Sequence, residues 1–376
     1  MEIAYRSLML KYDLLRLSPE IVEKIPMLLK LQEEFRQWTT VWLRDRSSLP
    51  ERGPLKHIAK VFIYGGRMLD WLRNLEKSGV EVNKVQMPLV FDVQLRFGGE
   101  ERDVGRSVLV NLHLRELRIR KWGGGTLTLP LGEAVKWIQE RVQEGAKLVL
   151  VAVWIGASKK SRAAKLYVAL IFRREVVPMR AKRILVVDLN ALHNGLVWAV
   201  AEGEKVIAKG IFRPDVSRIM RMQKVISKLD GICARKDKAC NDAMAAKSKI
   251  WRLLRTWEDE VVKKLLRLAQ QYRAGIVIDV PKGASIRMLR EGRYNPKKKI
   301  LLKFGRLRRK LQTLAEWYGI PLRMGRLYSS ICPRCEVKMT TLPNRRVNCA
   351  TCGFTAHRDE VPAYWASKLY SKFLFF

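Results

Sequence analysis

Two Cys-x-x-Cys turns, Cys332-Pro-Arg-Cys335 and Cys349-Ala-Thr-Cys352, stand thirteen residues apart near the end of the chain. No other feature constrains the fold so tightly. Four thiolates at this spacing close a tetrahedral site on zinc. Each turn brings two sulfurs to one side, and Gly353 supplies the backbone freedom such a knuckle needs. With four protein ligands no coordination position stays open, so the ion is expected to be structural. It would hold a zinc ribbon over residues 331–353, a unit too small to bury a core alone. The competing reading, a pair of redox dithiols or disulfides, explains one pair but not both at ribbon spacing. His357 is left a surface or site-lining role. Cys233 and Cys240, a heptad apart, read as small buried residues on one helix face.

Composition then narrows the partner. Lys plus Arg number 73 against 36 Asp plus Glu, a net charge of +37. A compact chain with that excess repels itself unless a polyanion neutralises it. Nucleic acid fits best, since each phosphate bound releases condensed counterions. The rival polyanion is a membrane surface. Yet the longest apolar run, around Leu148 to Ile155, is too short to span a bilayer. The opening Met-Glu-Ile-Ala-Tyr-Arg has no basic-then-apolar signal pattern, so a cytoplasmic location is expected. Nearly half the residues are apolar, which excludes a disordered chain.

The pattern along the chain predicts a short strand, Ile3 to Leu14, then helices over residues 18–85. Ser18-Pro19-Glu20 is a helix start, and Leu49 to Pro54 is a break. Residues 86–178 read as strands interrupted by one helix from Leu131 to Glu144. Residues 1–17 and 86–178 thus form a β-barrel-like module carrying a helical insert, 18–85. After a boundary near Val176 to Arg180, apolar strands end on Asp188 and on Asp279. A long helical region, Pro214 to Arg273, lies between them. Its second half places Ile250, Leu254, Trp257, Val261, Leu265 and Leu268 on one face. A further helix, Lys299 to Tyr318, and a strand, Pro321 to Met324, follow. Strands that alternate with helices predict an α/β core with a mixed sheet over 182–330 and 354–376, within an α/β and α+β multidomain chain.

Three acidic residues share this framework. Asp188 and Asp279 end apolar strands, where side chains emerge at a sheet edge. Asp359, in His357-Arg358-Asp359-Glu360, opens the last helix, with Pro362 tolerated in its first turn. Taken singly, each is an ordinary turn former or helix cap. Taken together they are oxygen ligands suited to magnesium. Two such ions about 4 Å apart activate a water and stabilise a leaving oxygen in phosphodiester hydrolysis.

In order, Val187-Asp188-Leu189-Asn190, Ile278-Asp279-Val280-Pro281, the cysteine quartet and Arg358-Asp359 resemble the split RuvC-like nuclease of the transposon-encoded TnpB family. That family is related to type V CRISPR effectors. Tyr318-Gly319-Ile320-Pro321 and Tyr328-Ser329-Ser330-Ile331 resemble its approach to the ribbon. The motifs span Lys182 to Ala363; the N-terminal half is similar only in organisation, a wedge-like β module with a helical recognition insert. The resemblance implies an RNase H-like core, a guide RNA, double-stranded target DNA beside a short adjacent motif, and magnesium-dependent cleavage with Asp188, Asp279 and Asp359 as catalytic ligands. Two departures stand out. The family usually has Glu at the second acidic position, where Asp279 is a methylene shorter. In its DRDxNA pattern the leading Asp is here His357, and Asn-Ala are Val361-Pro362.

From Lys282 to Lys310 twelve residues are Lys or Arg against the single acid Glu291. Lys282, Arg287, Arg290, Arg293, Lys297, Lys298, Lys299, Arg306, Arg308 and Arg309 are expected to track a phosphate backbone beside the acids. A merely solvated helix face would mix both signs. Lys159-Lys160-Ser161-Arg162 and Arg115 to Lys121 are further basic groups suited to RNA. Trp38, Trp42 and Trp71 could stack on bases, though core packing is the commoner role. Two other functions share the charge and motifs, an RNA-guided binder without cleavage and a transposase acting by strand transfer; a plain DNA-binding protein shares the charge but leaves the ordered acids unexplained.

Overall fold

The computed structural model describes residues 1–64, 87–98, 102–120, 122–157, 164–188, 195–233, 237–279 and 305–374. These residues form a mixed α/β chain that divides into two units, Ile3–Glu175 and Val176–Phe376, the second also taking in Met1–Glu2. No helix among the described residues is long and apolar enough to cross a membrane.

The first unit runs β1 (Glu2–Asp13), α1 (Pro19–Val22), α2 (Ile25–Arg44), α3 (Gly53–Tyr64), β2 (Leu89–Arg96), β3 (Val108–Asn111), β4 (Glu116–Ile119), β5 (Leu127–Pro130), α4 (Ala134–Gln143), β6 (Lys147–Ala157) and β7 (Ala164–Val176). The strands form one sheet in the order β1-β7-β6-β2-β3-β4-β5. β2 is its joint: Leu89 to Asp92 pair antiparallel with β6, and Val93 to Arg96 pair parallel with β3. The sheet curls until its two edge strands meet, where the Tyr12 hydroxyl of β1 donates to the Pro130 carbonyl of β5 at 2.8 Å. That is the barrel-like form expected of the module.

A helix starts at Pro19 with Ser18 as its N-cap residue, as the sequence implies, but it is short. The Ser18 side chain makes no cap bond, Pro19–Val22 is a single turn, and the long helix starts at Ile25. Phe35, Trp38, Trp42 and Phe62 are buried together in edge-to-face and stacked contacts. Trp38 and Trp42 are therefore core residues; Trp71 lies outside the described residues. Helix α3 is tied to the sheet through His57, whose Nε2 lies 2.9 Å from Asp92 Oδ1 and 2.5 Å from Ser107 Oγ. Burial pushes the Asp92 carboxyl up. Hydrogen bonds from Ser107, His57 and Arg106 outweigh it and hold the group at about 2.

The second unit contains β8 (Arg183–Asp188), β9 (Leu196–Glu202), β10 (Lys205–Phe212), α5 (Val216–Cys233), α6 (Asp237–Gln271), β11 (Ala274–Asp279), α7 (Gly305–Trp317), β12 (Leu322–Gly325), β13 (Thr340–Thr341), β14 (Arg346–Asn348), β15 (Thr355–His357) and α8 (Val361–Leu374). Its main sheet has the order β10-β9-β8-β11-β12. β8, β9 and β10 are antiparallel neighbours, whereas β11 is parallel to both β8 and β12. In chain order this is 3-2-1-4-5, the strand order of an RNase H-like core.

Both faces of β8 are covered, which is why it reads as an unbroken apolar run. Leu185 and Val187 pack with Val261 and Leu265 of α6 and Leu307 and Leu311 of α7. Ile184 and Val186 pack with Ala363, Trp365 and Ala366 of α8 and with Met339, Val347 and Phe354 beyond β12. Helix α6 divides its expected stripe between two cores, since Ile250 and Leu254 pack with Ile219 and Ile226 of α5 instead. One expectation fails here: Cys233 closes α5 and Cys240 lies in α6, so they do not share one helix. Their side chains lie outside the described residues.

Candidate functional site

β8 and β11 run parallel with Asp279 directly opposite Asp188. In a parallel pair, opposite residues project from the same face, on strands about 4.8 Å apart. Asp188 shares its face with Val186 and Asp279 with Val277, so both carboxylates lie on the side covered by α8. Asp188 is 8% exposed and Asp279 half-buried. Burial pushes the Asp279 carboxyl above its ordinary range. The Leu327 N–H, 2.8 Å from Asp279 Oδ1, and the more distant Arg326 guanidinium oppose that rise. Arg326 itself stacks over the Tyr328 ring at 4.8 Å.

Asp359 stands two residues before Val361, the first residue of α8, and its side chain is 13% exposed. Its Oδ1 accepts from Arg345 Nη2 at 2.6 Å. The chain also binds back here, with Arg358 N–H donating to the Arg345 carbonyl at 2.8 Å. The next residue, Glu360, pairs with Lys209 of β10. Register thus brings two of the three acids together, whereas the third is engaged by an arginine. Among the described residues, the cysteines are the one group of three or more candidate metal ligands that comes together.

Those four sulfurs all lie within 4.8 Å of one another. Cys332 and Cys352 are 3.5 Å apart, and Cys335 and Cys349 3.2 Å. The two knuckles are built alike. Glu336 N–H donates to the Cys332 carbonyl and Gly353 N–H to the Cys349 carbonyl, each at 2.9 Å. Both knuckles turn through positive φ, +69° at Gly353 and +61° at Glu336. Glycine takes this conformation freely, while Glu336 is held there by its contacts, including Lys368 Nζ at 2.8 Å. Burial raises the Cys349 thiol, but the Cys352 amide, the Cys335 sulfur and the Thr351 amide beside it bring it down to about 6. Cys332 and Cys349 are fully buried and belong to the same core as Val186 and α8. The cysteine cluster is therefore anchored in the core between the sheet and α8.

The basic residues separate into two groups. Lys282, Arg287, Arg290, Arg293, Lys297, Lys298 and Lys299 lie outside the described residues, as do Lys159 to Arg162. On α7, Arg309 is exposed and Arg308 half-buried. Arg306 departs from the expectation. Its guanidinium binds Glu258 and Asp259 of α6, the latter at 2.8 Å, so its charge is met within the protein. Arg326 and Arg345 are residues that the motif reading passed over. Each stands close to a singled-out element in sequence, Arg326 just before Tyr328 and Arg345 just before β14, but nothing in the motif spacing marks them.

Residues 304–365 match the family model of the Cas12f1-like TNB domain. In that region the chain is Cas12f-like. The Cas12f-like segment spans α7, β12, all four cysteines and Asp359, and excludes Asp188 and Asp279. Solved structures similar to the chain include a Cas12f1–sgRNA–target DNA complex, with a TM-score of 0.46 and 12% identity, covering 94% of this chain and 87% of that chain. A CRISPR-Cas12f ternary complex gives 0.29 and 14%, over 92% and 81%. CasPhi-2 (Cas12j) bound to crRNA gives 0.35 and 9%, over 69% of this chain and 61% of that one. No curated protein sequence matches the chain.

Proposed function

We propose that this chain is an RNA-guided DNA endonuclease of the TnpB type, hydrolysing phosphodiesters with magnesium held by Asp188, Asp279 and Asp359. One observation carries the reading: two buried or half-buried carboxylates, 91 positions apart in sequence, face each other in register at the ends of adjacent parallel strands. Burying two carboxylates side by side is unfavourable unless a cation joins them. An all-oxygen donor set suits magnesium. Bound magnesium would supply Lewis acidity and a more acidic coordinated water. The chain's own part is to hold Asp188 and Asp279 rigidly on the sheet, to present Asp359 at the head of α8, and to exchange Arg345 for the cation at that third ligand.

The four cysteines fit zinc. Sulfurs 2.3 Å from a tetrahedral centre stand roughly 3.8 Å apart, close to the 3.2–3.6 Å spacings found. Zinc there would tie the ribbon to α8. A guide RNA and double-stranded target DNA are the partners proposed, in keeping with the Cas12f-like segment and the charge of +37. Lys282, Arg287, Arg290, Arg293, Lys297, Lys298 and Lys299, with Arg308 and Arg309, are proposed to follow the nucleic-acid backbone; Arg306 is not.

The test is to sequence RNA that copurifies with the protein and to challenge the complex with matching DNA. Magnesium-dependent cleavage that Asp188→Ala and Asp359→Ala abolish is the expected result. A discrete RNA with no cleavage would favour a second reading, RNA-guided binding without catalysis. The Arg345–Asp359 contact and the shortened side chain at Asp279 favour it; restored cleavage by Asp279→Glu would establish it. Absence of bound RNA would contradict both.

A further inference from the structure

A cavity of about 490 Å³ opens between the β9–β10 turn, the first cysteine knuckle and α8. Such a volume lies within the range of small-ligand sites. It is not the carboxylate site. The β9–β10 turn follows Glu202, which pairs with Arg183 at the opposite end of β8 from Asp188. Five residue-to-residue steps along the strand separate the two ends, roughly 17 Å.

Its walls are aromatic and its charges cancel. Phe354 and Tyr364 meet edge to face at 5.2 Å, and the Arg334 guanidinium lies over Phe354 at 5.6 Å. Arg334 pairs with Glu204 at 2.9 Å and Lys368 with Glu336 at 2.8 Å. Each rim cation is thus already met by a carboxylate, which weakens its pull on a phosphate. The rim offers a carboxylate acceptor beside a guanidinium donor, the pair of functions that reads the hydrogen-bonding edge of a base.

We propose that this cavity receives one unstacked nucleobase of a single-stranded nucleic acid. Tyr364 would stack on the ring, Glu204 and Arg334 would face its polar edge, and the backbone phosphates would stay outside. The proposal rests on the nucleic-acid function proposed above and adds a second foothold for the strand, away from the acids.

Binding of labelled single-stranded DNA by the full-length protein, followed by anisotropy in EDTA over a range of salt, tests it. Tyr364→Leu should weaken binding roughly 5- to 150-fold, the range for losing one base–aromatic stack. The slope against salt should not change, because no phosphate contact is lost. Arg334→Gln, at a side chain 55% exposed, is safe for the fold and should cost about five-fold, again at constant slope. Wild-type affinity in both variants would overturn the cavity and leave the nucleic-acid function standing. A slope reduced by about 0.7 in Arg334→Gln would mean a phosphate contact and would also overturn base insertion. No binding by the wild-type chain would overturn both.

Discussion

The four cysteines and the three aspartates are both ligand sets gathered from separated points of the chain, but the fold assembles them to different degrees. The sulfurs already stand at near-tetrahedral spacing, held by two matching hydrogen-bonded turns over a buried core. The carboxylates are only partly gathered, with register pairing Asp188 and Asp279 while Arg345 engages Asp359. The difference fits the roles proposed for the two sets. A structural site gains by being finished, whereas a catalytic one must admit cation, water and substrate.

The largest effect expected is on the finished set. Cys349→Ser or strong chelation should remove on the order of 10 kcal/mol of metal-linked folding energy from the ribbon. Because Cys349 and Val347 share a core with Trp365 and Ala366, amide exchange should rise along α8 as well as in β13–β15. Exchange confined to the ribbon would show that the two are not coupled.

On the partly gathered set, Asp188→Ala should lower DNA cleavage by about 10²-fold or more while leaving RNA binding unchanged, since only groups that stabilise developing charge are lost. Residual cleavage near the wild-type rate would remove Asp188 from the site. Arg345→Ala should act in the opposite direction on cation binding. Freed from its guanidinium partner, Asp359 is expected to bind Mn²⁺ a few-fold more tightly, as measured by titration. An unchanged affinity would mean that Asp359 does not join the cation site.

The smallest effect sharpens the contrast among carboxylates. Asp92 is satisfied by Ser107, His57 and Arg106 and held at about 2, opposite in direction to Asp279. A depressed folded-state value contributes stability that is full above the ordinary value of 3.8 and is lost as pH falls through about 2. Amide exchange in β2 and β3 should therefore differ most between wild type and Asp92→Asn at neutral pH. The difference should shrink below pH 4 or so. A difference independent of pH would show that the charge of Asp92 does not matter.

Much of this was legible in the residues. The cysteine spacing foretold the cluster, and the apolar runs ending on Asp188 and Asp279 foretold strands of a mixed sheet. What one strand cannot reveal is its neighbour's register. Nothing local to Asp188 says that residue 279 lies opposite it rather than one residue along. The internal pairing of Arg306 was hidden for a related reason. A run of basic residues looks solvated until Glu258 and Asp259 arrive from another helix. The same blindness hid the grip of Arg345 on Asp359. Short strands such as β4 and β5, four residues each, offer too little alternation to delimit.

The most direct test of the whole account is Mn²⁺ binding to the full-length protein, followed by electron paramagnetic resonance, in wild type and in Asp188→Asn and Asp279→Asn. The register pairing predicts that either substitution alone removes most of the bound Mn²⁺ while the thiolate cluster keeps its zinc. Equal Mn²⁺ binding in all three proteins would contradict it.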